Sequence, residues 1–119
     1  TGRDSPAVRR RIADLGLPHA LYGVHDKLAA AEPLLASLGV TWSDTAAIGD
    51  DWPDLPLLRR AGLACAPPNA HVEVRTIADH VTTAPGGQGA AREFCDLLLV
   101  ASGRYAGLLA ADAQTLDGR

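Results

Sequence analysis

The stretch Ala47-Ile48-Gly49-Asp50-Asp51-Trp52-Pro53-Asp54 places three carboxylates directly after a short apolar run that begins at Thr45. The apolar run is typical of a buried strand, and residues 55–61 repeat their apolar side chains with helical spacing. We therefore predict a strand, an acidic turn and a helix in this part of the chain. Open α/β sheets place their ligand sites at the carboxyl ends of their strands, where this turn lies.

Two hypotheses explain the acidic turn. Asp50 leaves the strand first and Asp54 follows one helical turn later on the same side, so their oxygens, with those of Asp51, suit a hard cation such as Mg²⁺. Alternatively, Asp51 and Asp54 bind no metal and only interact favourably with the positive end of a helix dipole. The acidic turn taken alone favours the second hypothesis. Other features of the chain favour the metal site instead.

Length and composition limit the class of protein. The chain has 119 residues and a formal net charge of −3, which predicts one domain that is small for a complete α/β enzyme. No basic patch indicates nucleic acid, and no apolar run has the length of a membrane span. Cys65 and Cys95 lie in apolar segments without metal-ligand spacing, so we expect two buried thiols in a reducing, cytoplasmic compartment.

Strand and helix patterns alternate along the chain. Asp26 and Gly39 bound one predicted helix, and Pro33 inside it either kinks the helix or marks where its regular part begins. Asn69 is expected to cap another helix. Further strands are predicted over residues 20–24, 62–66 and 80–83, and further helices over residues 7–15, 70–78, 90–100 and 105–113. The alternation predicts a parallel sheet with helices on both faces, and residues 117–119 are expected to fray.

The chain opens on Thr1-Gly2-Arg3, directly before a helix start in which Ser5 is the cap and Pro6 the first residue. A helix that starts so close to the first residue normally follows another secondary-structure element. We therefore expect these first residues to be the loop that leaves a strand which the sequence does not contain.

Polar groups at the predicted strand ends converge, because the carboxyl ends of parallel strands lie at one edge of a sheet. Thr1 and Gly2 bring a hydroxyl and backbone amides, Lys27 is the only lysine of the chain, and the acidic turn brings a site for Mg²⁺. Hydroxyl and amide donors bind phosphate oxygens, a lysine neutralises developing charge, and a metal clamps the transferring group. The constellation predicts a phosphate site.

These segments resemble three motifs of the haloacid dehalogenase superfamily of phosphatases, and among them the phosphatases of 3-deoxy-D-manno-octulosonate 8-phosphate (KDO 8-phosphate). The segments that carry the resemblance are Thr1-Gly-Arg-x-Ser-Pro-Ala-Val, Leu21-Tyr-Gly-Val-x-Asp-Lys-Leu, Ile48-Gly-Asp-Asp-x-Pro-Asp-Leu-Pro, Asn69-Ala-His and Val81-Thr-Thr-x-Pro-Gly-Gly-x-Gly-Ala-x-Arg-Glu. Because they follow one another from residue 1 to about residue 98, the resemblance is specific.

The resemblance implies a Rossmann-like α/β fold and a Mg²⁺-dependent phosphomonoester hydrolase that works through an aspartyl-phosphate. In this family's scheme Thr1 and the Gly2 amide hold the phosphoryl oxygens, and Lys27 bridges the phosphate and the nucleophilic carboxylate. Arg3 contacts the substrate, and a glycine-rich loop (residues 85–89, the glycine loop) borders the pocket. The metal residues of this scheme are Asp50, Asp51 and Asp54.

One departure from the family is large. The Asp-x-Asp motif that supplies the nucleophile after an apolar strand is absent from the 119 residues, as is the hairpin that builds the family's homotetramer. Residues 1–119 are therefore expected to form a single partial domain, the C-terminal portion of a catalytic core that lacks its first strand or strands, and to be inactive alone. The alternative hypothesis is a non-catalytic binding or oligomerisation module, related to domains fused to sugar-nucleotide synthetases.

Overall fold

A computed structural model describes residues 1–117 of the chain, and side chains to residue 113. Short 3-10 turns lie over Trp42–Asp44 and Trp52–Asp54. The elements of the described residues are α1 (Pro6–Leu15), α2 (Lys27–Leu38), β1 (Ala46–Ile48), α3 (Leu55–Arg60), β2 (Leu63–Ala66), α4 (Val72–Ile77), β3 (His80–Val81), α5 (Ala90–Ala101) and α6 (Tyr105–Asp117). The expected fraying of residues 117–119 falls mostly on Gly118 and Arg119, which lie outside the described residues.

The strands form one parallel sheet in the order β1-β2-β3. Ala47 of β1 lies opposite Ala64 of β2, and Ala66 of β2 lies opposite Val81 of β3. The predicted α/β class with a parallel sheet is confirmed. In the described part of the chain, β1 is an edge strand, because its second edge has no strand partner.

The core lies around β2, whose side chains alternate between the two faces of the sheet. Ala64 and Ala66 join a buried cluster with residues of α3, α4 and the loop before α4, namely Leu58, Ala70 and Val74. Cys65 lies between the two alanines, points to the opposite face and is also fully buried. The central strand is therefore covered on both faces, as its continuous apolar sequence predicts.

Helix ends follow the capping residues that the sequence predicts. The Ser5 hydroxyl accepts the Val8 amide at 3.3 Å, and the Asp26 carboxylate accepts the Ala29 amide at 3.0 Å. α1 ends at a glycine, and so does α2 at Gly39, where φ is +67° and a side chain would be strained. α2 is continuous through Pro33, so the hypothesis that its regular part begins near Pro33 is wrong.

Residues 20–24 do not form the predicted strand. Their backbone bonds residues 1–3 instead of a strand. Val24 donates to the Thr1 carbonyl at 2.9 Å, Gly23 donates to the Arg3 carbonyl at 3.3 Å, and the Leu21 carbonyl accepts the Thr1 amino group at 2.8 Å. A parallel strand needs a ladder of neighbouring backbone groups, and no described strand lies beside this segment. The sequence pattern is that of a strand, but the described chain does not supply its partner.

Two smaller predictions are also wrong. Asn69 does not cap α4, since the cap position belongs to His71 and the Asn69 side chain bonds the glycine loop instead. Cys95 is exposed on α5, because only one face of that helix packs on the domain. The core residue of α4 is Val74, whereas Val72 on the same helix is 54% exposed.

Among the described residues, no single helix combines the length and apolar character that a membrane span requires. α5 and the first part of α6 pass that test only together, and they meet at an angle of 106°. Ala90 and Phe94 of α5 are buried within the domain.

Replacing Val74 by alanine should lower the free energy of unfolding by about 2 kcal/mol, because the side chain is fully buried and its removal leaves a cavity. Val72→Ala on the same helix is the matched control, and we expect a change within about 0.5 kcal/mol. Urea unfolding of both variants measures the difference. Equal destabilisation by the two substitutions would contradict this description of the core.

Candidate functional site at the carboxyl edge of the sheet

The turn after β1 is built on a close approach between Gly49 and Asp54. The Gly49 amide continues the sheet by donating to the Cys65 carbonyl at 3.1 Å. A Cβ on Gly49 would lie 2.4 Å from the Asp54 Cβ, so only glycine leaves room for the aspartate to fold back over the strand end. The sequence order Gly-Asp-Asp thus has a steric cause.

The Asp54 carboxylate ties the turn to α2. Its Oδ2 accepts the backbone amides of Asp50 at 3.0 Å and of Asp51 at 3.2 Å. Its Oδ1 accepts a hydrogen bond from Lys27 Nζ at 2.5 Å, and the two side chains are only 14% and 23% exposed. The first residue of α2 is therefore fixed to the strand end of β1 by a shielded ion pair.

Burial and hydrogen bonding act in opposite directions on Asp54. Partial burial raises the pKa of the carboxyl group, but the hydrogen bond from Lys27 and the two backbone amides outweigh it and bring the pKa below its ordinary value. Asp54 is therefore ionised at neutral pH and accepts hydrogen bonds at both oxygens. The geometry holds Lys27 at a fixed point on the carboxyl edge of the sheet.

Two of the three carboxylates of the acidic turn already have hydrogen-bond partners among the described residues. Asp54 is occupied by Lys27 and the turn amides, and the Asp51 carboxylate accepts the amide of Trp52 at 2.8 Å as a helix cap. Residues 1–117 contain no group of three or more Asp, Glu, His or Cys side chains arranged to hold a metal ion. Of the three carboxylates in the turn, only that of Asp50 has no hydrogen-bond or ion-pair partner among the described residues. It fits Mg²⁺ as one oxygen ligand of an incomplete set.

A cavity of about 250 Å³ brings together three of the predicted site residues, Thr1, Lys27 and Asp54. The Thr1 hydroxyl accepts the amide of Arg3 at 3.2 Å, so its own proton is available to an acceptor such as a phosphate oxygen. The remaining lining is largely apolar and comes from α2, α3, residues 21–24 and Ile48 of β1. The cavity therefore lies along the open edge of the sheet.

A second cavity of about 240 Å³ lies on the other side of Asp54. Asp50 and Asp54 face the glycine loop across it, with Gly86 and Gly87 in its wall. Gly2, Arg3 and Asp51 line neither this cavity nor the one at Lys27. The structure thus divides the predicted site residues into a lysine cavity with Thr1 and an Asp50 cavity, and Asp54 borders both.

Trp52 stands in the acidic turn with its ring 58% exposed. Its indole N–H donates to His71 Nδ1 at 3.0 Å, and the rings meet edge to face. The His71 amide in turn donates to the Asp50 carbonyl at 2.9 Å. His71, which the sequence indicates only as a turn residue, therefore supports the backbone of Asp50 from the side of α4.

Sequence reasoning missed two side chains that hold the glycine loop. Asn69 Oδ1 accepts the Gly86 amide at 2.7 Å, and the Glu93 carboxylate accepts the amides of Thr83 and Ala84 at 2.8 and 3.0 Å. Polar residues that flank a glycine-rich segment were the available signal. Both side chains bind backbone amides, however, and the sequence does not reveal which amides lie within hydrogen-bond distance.

The fold and the cavities define an α/β protein with a ligand site at the carboxyl edge of a parallel sheet. More particularly, the chain belongs to the haloacid dehalogenase-like hydrolase family, whose sequence model matches residues 22–94. That match covers more than half of the chain and includes Lys27, the acidic turn and the glycine loop.

Similar proteins carry one recurring description. The chain is 44% identical over 104 residues to the 3-deoxy-D-manno-octulosonate 8-phosphate phosphatase KdsC of Haemophilus influenzae, a match that covers 87% of this chain and 58% of the relative. A Moraxella catarrhalis phosphatase of the same description, solved in complex with magnesium ion, phosphate ion and a KDO molecule, is 42% identical with a TM-score of 0.89 and covers 93% of this chain and 64% of its own. A probable YrbI family phosphatase from Pseudomonas syringae is 46% identical, with a TM-score of 0.89 and coverage of 99% and 65%. The chain therefore spans less than two thirds of these relatives.

Replacing Asp54 by asparagine should lower the free energy of unfolding by about 1–3 kcal/mol at pH 7, because an amide cannot accept hydrogen bonds at both positions and leaves Lys27 without a counter-ion. The pKa of Asp54 is lower in the folded chain than in the unfolded chain. The ionised carboxylate therefore stabilises the fold above the unfolded pKa, and this contribution is lost as the pH falls through the folded pKa. Unfolding across a pH series should show the variant and the wild type converging in acid.

Asp96→Asn is the matched control for Asp54→Asn. Asp96 pairs with Arg92 at 3.0 Å on an exposed face of α5, so its loss should change stability by about 0.5 kcal/mol or less at any pH. Equal effects of the two substitutions at pH 7 would remove the special role of the Lys27–Asp54 pair.

Proposed function

We propose that this chain is the C-terminal portion of the catalytic core of a Mg²⁺-dependent phosphomonoester hydrolase of sugar phosphates. The proposed reaction is the hydrolysis of KDO 8-phosphate to KDO and phosphate, a step in the synthesis of lipopolysaccharide precursors. The observation that carries the proposal is the shielded Lys27–Asp54 pair, which shares a cavity with the Thr1 hydroxyl at the carboxyl edge of the sheet. The similarity to a Moraxella catarrhalis phosphatase solved with magnesium, phosphate and KDO supports the substrate.

Six of the seven predicted site residues have a proposed role. Thr1 donates its hydroxyl proton and Gly2 its amide to the phosphoryl oxygens, Lys27 Nζ neutralises the charge that develops on them, and Arg3 contacts the substrate. Asp54 positions Lys27 and does not touch the substrate. Asp50 supplies one metal ligand, and Mg²⁺ bound there would withdraw charge from the transferring phosphoryl group.

The nucleophile comes from outside the 119 residues in this proposal. A carboxylate on an additional strand attacks phosphorus, the P–O bond to the sugar breaks, and the sugar oxygen takes a proton from a general acid. Water then hydrolyses the aspartyl-phosphate, which releases phosphate and restores the carboxylate. The open edge of β1 beside the lysine cavity offers room for such a strand, and its carboxyl end would point toward Lys27 if it ran parallel to β1.

The setting of the enzyme is also part of the proposal. We expect a cytoplasmic homo-oligomer, with four subunits by family resemblance. Exposed apolar side chains on α5 and α6, among them Val100, Leu108 and Leu109, support association. The alternative of a non-catalytic module shares this surface, and the two hypotheses differ in whether a supplied nucleophile restores hydrolysis.

The 119-residue chain alone should release no phosphate from KDO 8-phosphate. A chimera that carries, before Thr1, the segment of the Haemophilus influenzae relative that precedes the matched region should release phosphate, and chelation of Mg²⁺ should abolish the activity. In this chimera Lys27→Met and Asp50→Asn should each lower kcat by at least about 100-fold, because both groups act on the charge of the transition state. Asp96→Asn is the control and should retain activity.

Two results of this assay would count against the proposal. Mg²⁺-dependent phosphate release by the unextended chain would show that it does not need an external nucleophile. A folded chimera without activity would favour the non-catalytic module. Inorganic phosphate release, measured with and without chelator, distinguishes these outcomes.

A further inference from the structure

The glycine loop begins from a rigid backbone turn after β3. Thr82 is buried, its amide donates to the Ala66 carbonyl at 2.9 Å, and its hydroxyl donates to the Ala84 carbonyl at 2.8 Å. The next two amides, of Thr83 and Ala84, both donate to the carboxylate of Glu93. One side chain on the first turn of α5 thus binds two consecutive backbone amides that precede the loop.

A second side chain fixes the middle of the loop. The Gly86 amide donates to Asn69 Oδ1 at 2.7 Å, and a Cβ on Gly86 would lie 3.2 Å from that oxygen and 3.4 Å from Pro67 Cγ. The loop therefore approaches the end of β2 as closely as a glycine allows. Gly87 follows with φ at +77°, a conformation that favours glycine.

The wall that the loop presents to the Asp50 cavity has almost no side chains. Gly86 and Gly87 of the loop, followed by Ala90 and Ala91 of α5, line this cavity together with Asp50 and Asp54. The position of such a wall depends on the backbone, because no long side chain can adjust its surface. The groups that hold the backbone, Glu93 and Asn69, therefore determine the width of the cavity.

We propose that Glu93, together with Asn69, is a positioning residue that holds the glycine loop as a fixed backbone wall of the Asp50 cavity and so sets the space for the organic part of the phosphate ester. This inference rests on the proposed function, because it assigns the cavity to the substrate. Glu93 acts through the amides of Thr83 and Ala84 and does not touch the substrate.

The ionised state of Glu93 fits this role. The amides of Ala84 and Thr83 lower the pKa of the Glu93 carboxyl group, burial opposes them, and His80, 4.0 Å from Glu93 Oε2, adds to the lowering. Cys65 also interacts electrostatically with Glu93 from β2. The two backbone hydrogen bonds are therefore present at neutral pH and are lost as the pH falls through the lowered pKa.

Amide hydrogen exchange in the 119-residue chain tests the positioning role directly. Glu93→Gln keeps the shape of the side chain but leaves one acceptor oxygen for two amides, so exchange of at least one of Thr83 and Ala84, and of Gly86, should be about tenfold faster at pH 7. Glu32→Gln, which breaks an exposed pair with Arg60 at 3.5 Å, is the matched control and should change none of these amides. After correction for intrinsic exchange, the wild-type amides of Thr83 and Ala84 should lose protection as the pH falls. In Glu93→Gln the protection of these amides should not depend on pH.

Two exchange results would overturn the positioning role. Unchanged protection of Thr83, Ala84 and Gly86 in Glu93→Gln would show that the carboxylate does not hold the loop. Faster exchange spread evenly over the chain, including the core strand β2, would show a general loss of stability instead of a local one.

Kinetics of the chimera test the consequence for the substrate. Glu93→Gln should raise KM for KDO 8-phosphate about tenfold and change kcat by less than about threefold. KM for acetyl phosphate should also change by less than about threefold, because the small acetyl group does not need the wall. An equal effect on both substrates would refute the role in setting cavity width. If the folded chimera lacks activity altogether, the proposed function fails while the exchange experiment still decides whether Glu93 positions the loop.

Discussion

The ion pair between Lys27 and Asp54 is the contact on which the site depends. It joins two segments that are 27 residues apart, because Lys27 begins α2 and Asp54 ends the turn after β1. The same carboxylate accepts the amides of Asp50 and Asp51. One side chain therefore fixes the Lys27 ammonium group, the turn after β1 and the start of α2. Low exposure strengthens this arrangement, since a shielded charge that loses its partner cannot recover its hydration. The geometry of the whole carboxyl edge therefore follows from a single carboxylate.

The open edge of β1 has the largest consequence for function. β1 pairs only with β2 in the described chain, while residues 20–24 lie across the lysine cavity without a strand of their own. Both features have the same cause: the outer edge of β1 and residues 20–24 carry backbone groups that would pair with another strand, and the described chain contains no such strand. The chain spans less than two thirds of its relatives, which agrees with the proposal that the nucleophile lies on a further strand. The fold presents Lys27 and Thr1 in one cavity beside the edge at which such a strand could pair.

The sequence predicts those parts of the fold that depend on local chemistry. Caps at Ser5 and Asp26, the glycine at the end of α2 and the apolar run of β2 depend on neighbouring residues, and the structure confirms them. The strand over residues 20–24 was wrong because a strand is a property of two segments, and the pattern describes only one. The metal site at Asp50, Asp51 and Asp54 stays a prediction, and the structure adds that Asp51 and Asp54 also bind other groups, which residue type does not reveal. The roles of Asn69 and Glu93 were missed, since their position beside a glycine-rich segment is a sequence signal but the backbone amides they bind are not.

These errors share a physical basis. Several acidic side chains in this chain bind backbone amides: Asp51 caps Trp52, Asp54 holds its own turn, Asp79 accepts the Ala64 amide, and Glu93 accepts two amides before the glycine loop. A loop at the end of a parallel sheet has backbone amides without partners, and a carboxylate is the strongest acceptor that can satisfy them. An acid-rich edge therefore contains fewer metal ligands than its composition indicates. Asp50 is the exception in the acidic turn, because its oxygens remain unengaged among the described residues and face the Asp50 cavity. The same network that uses up Asp51 and Asp54 thus leaves one carboxylate free and holds it in a defined place, and this is what a metal site completed by other ligands requires.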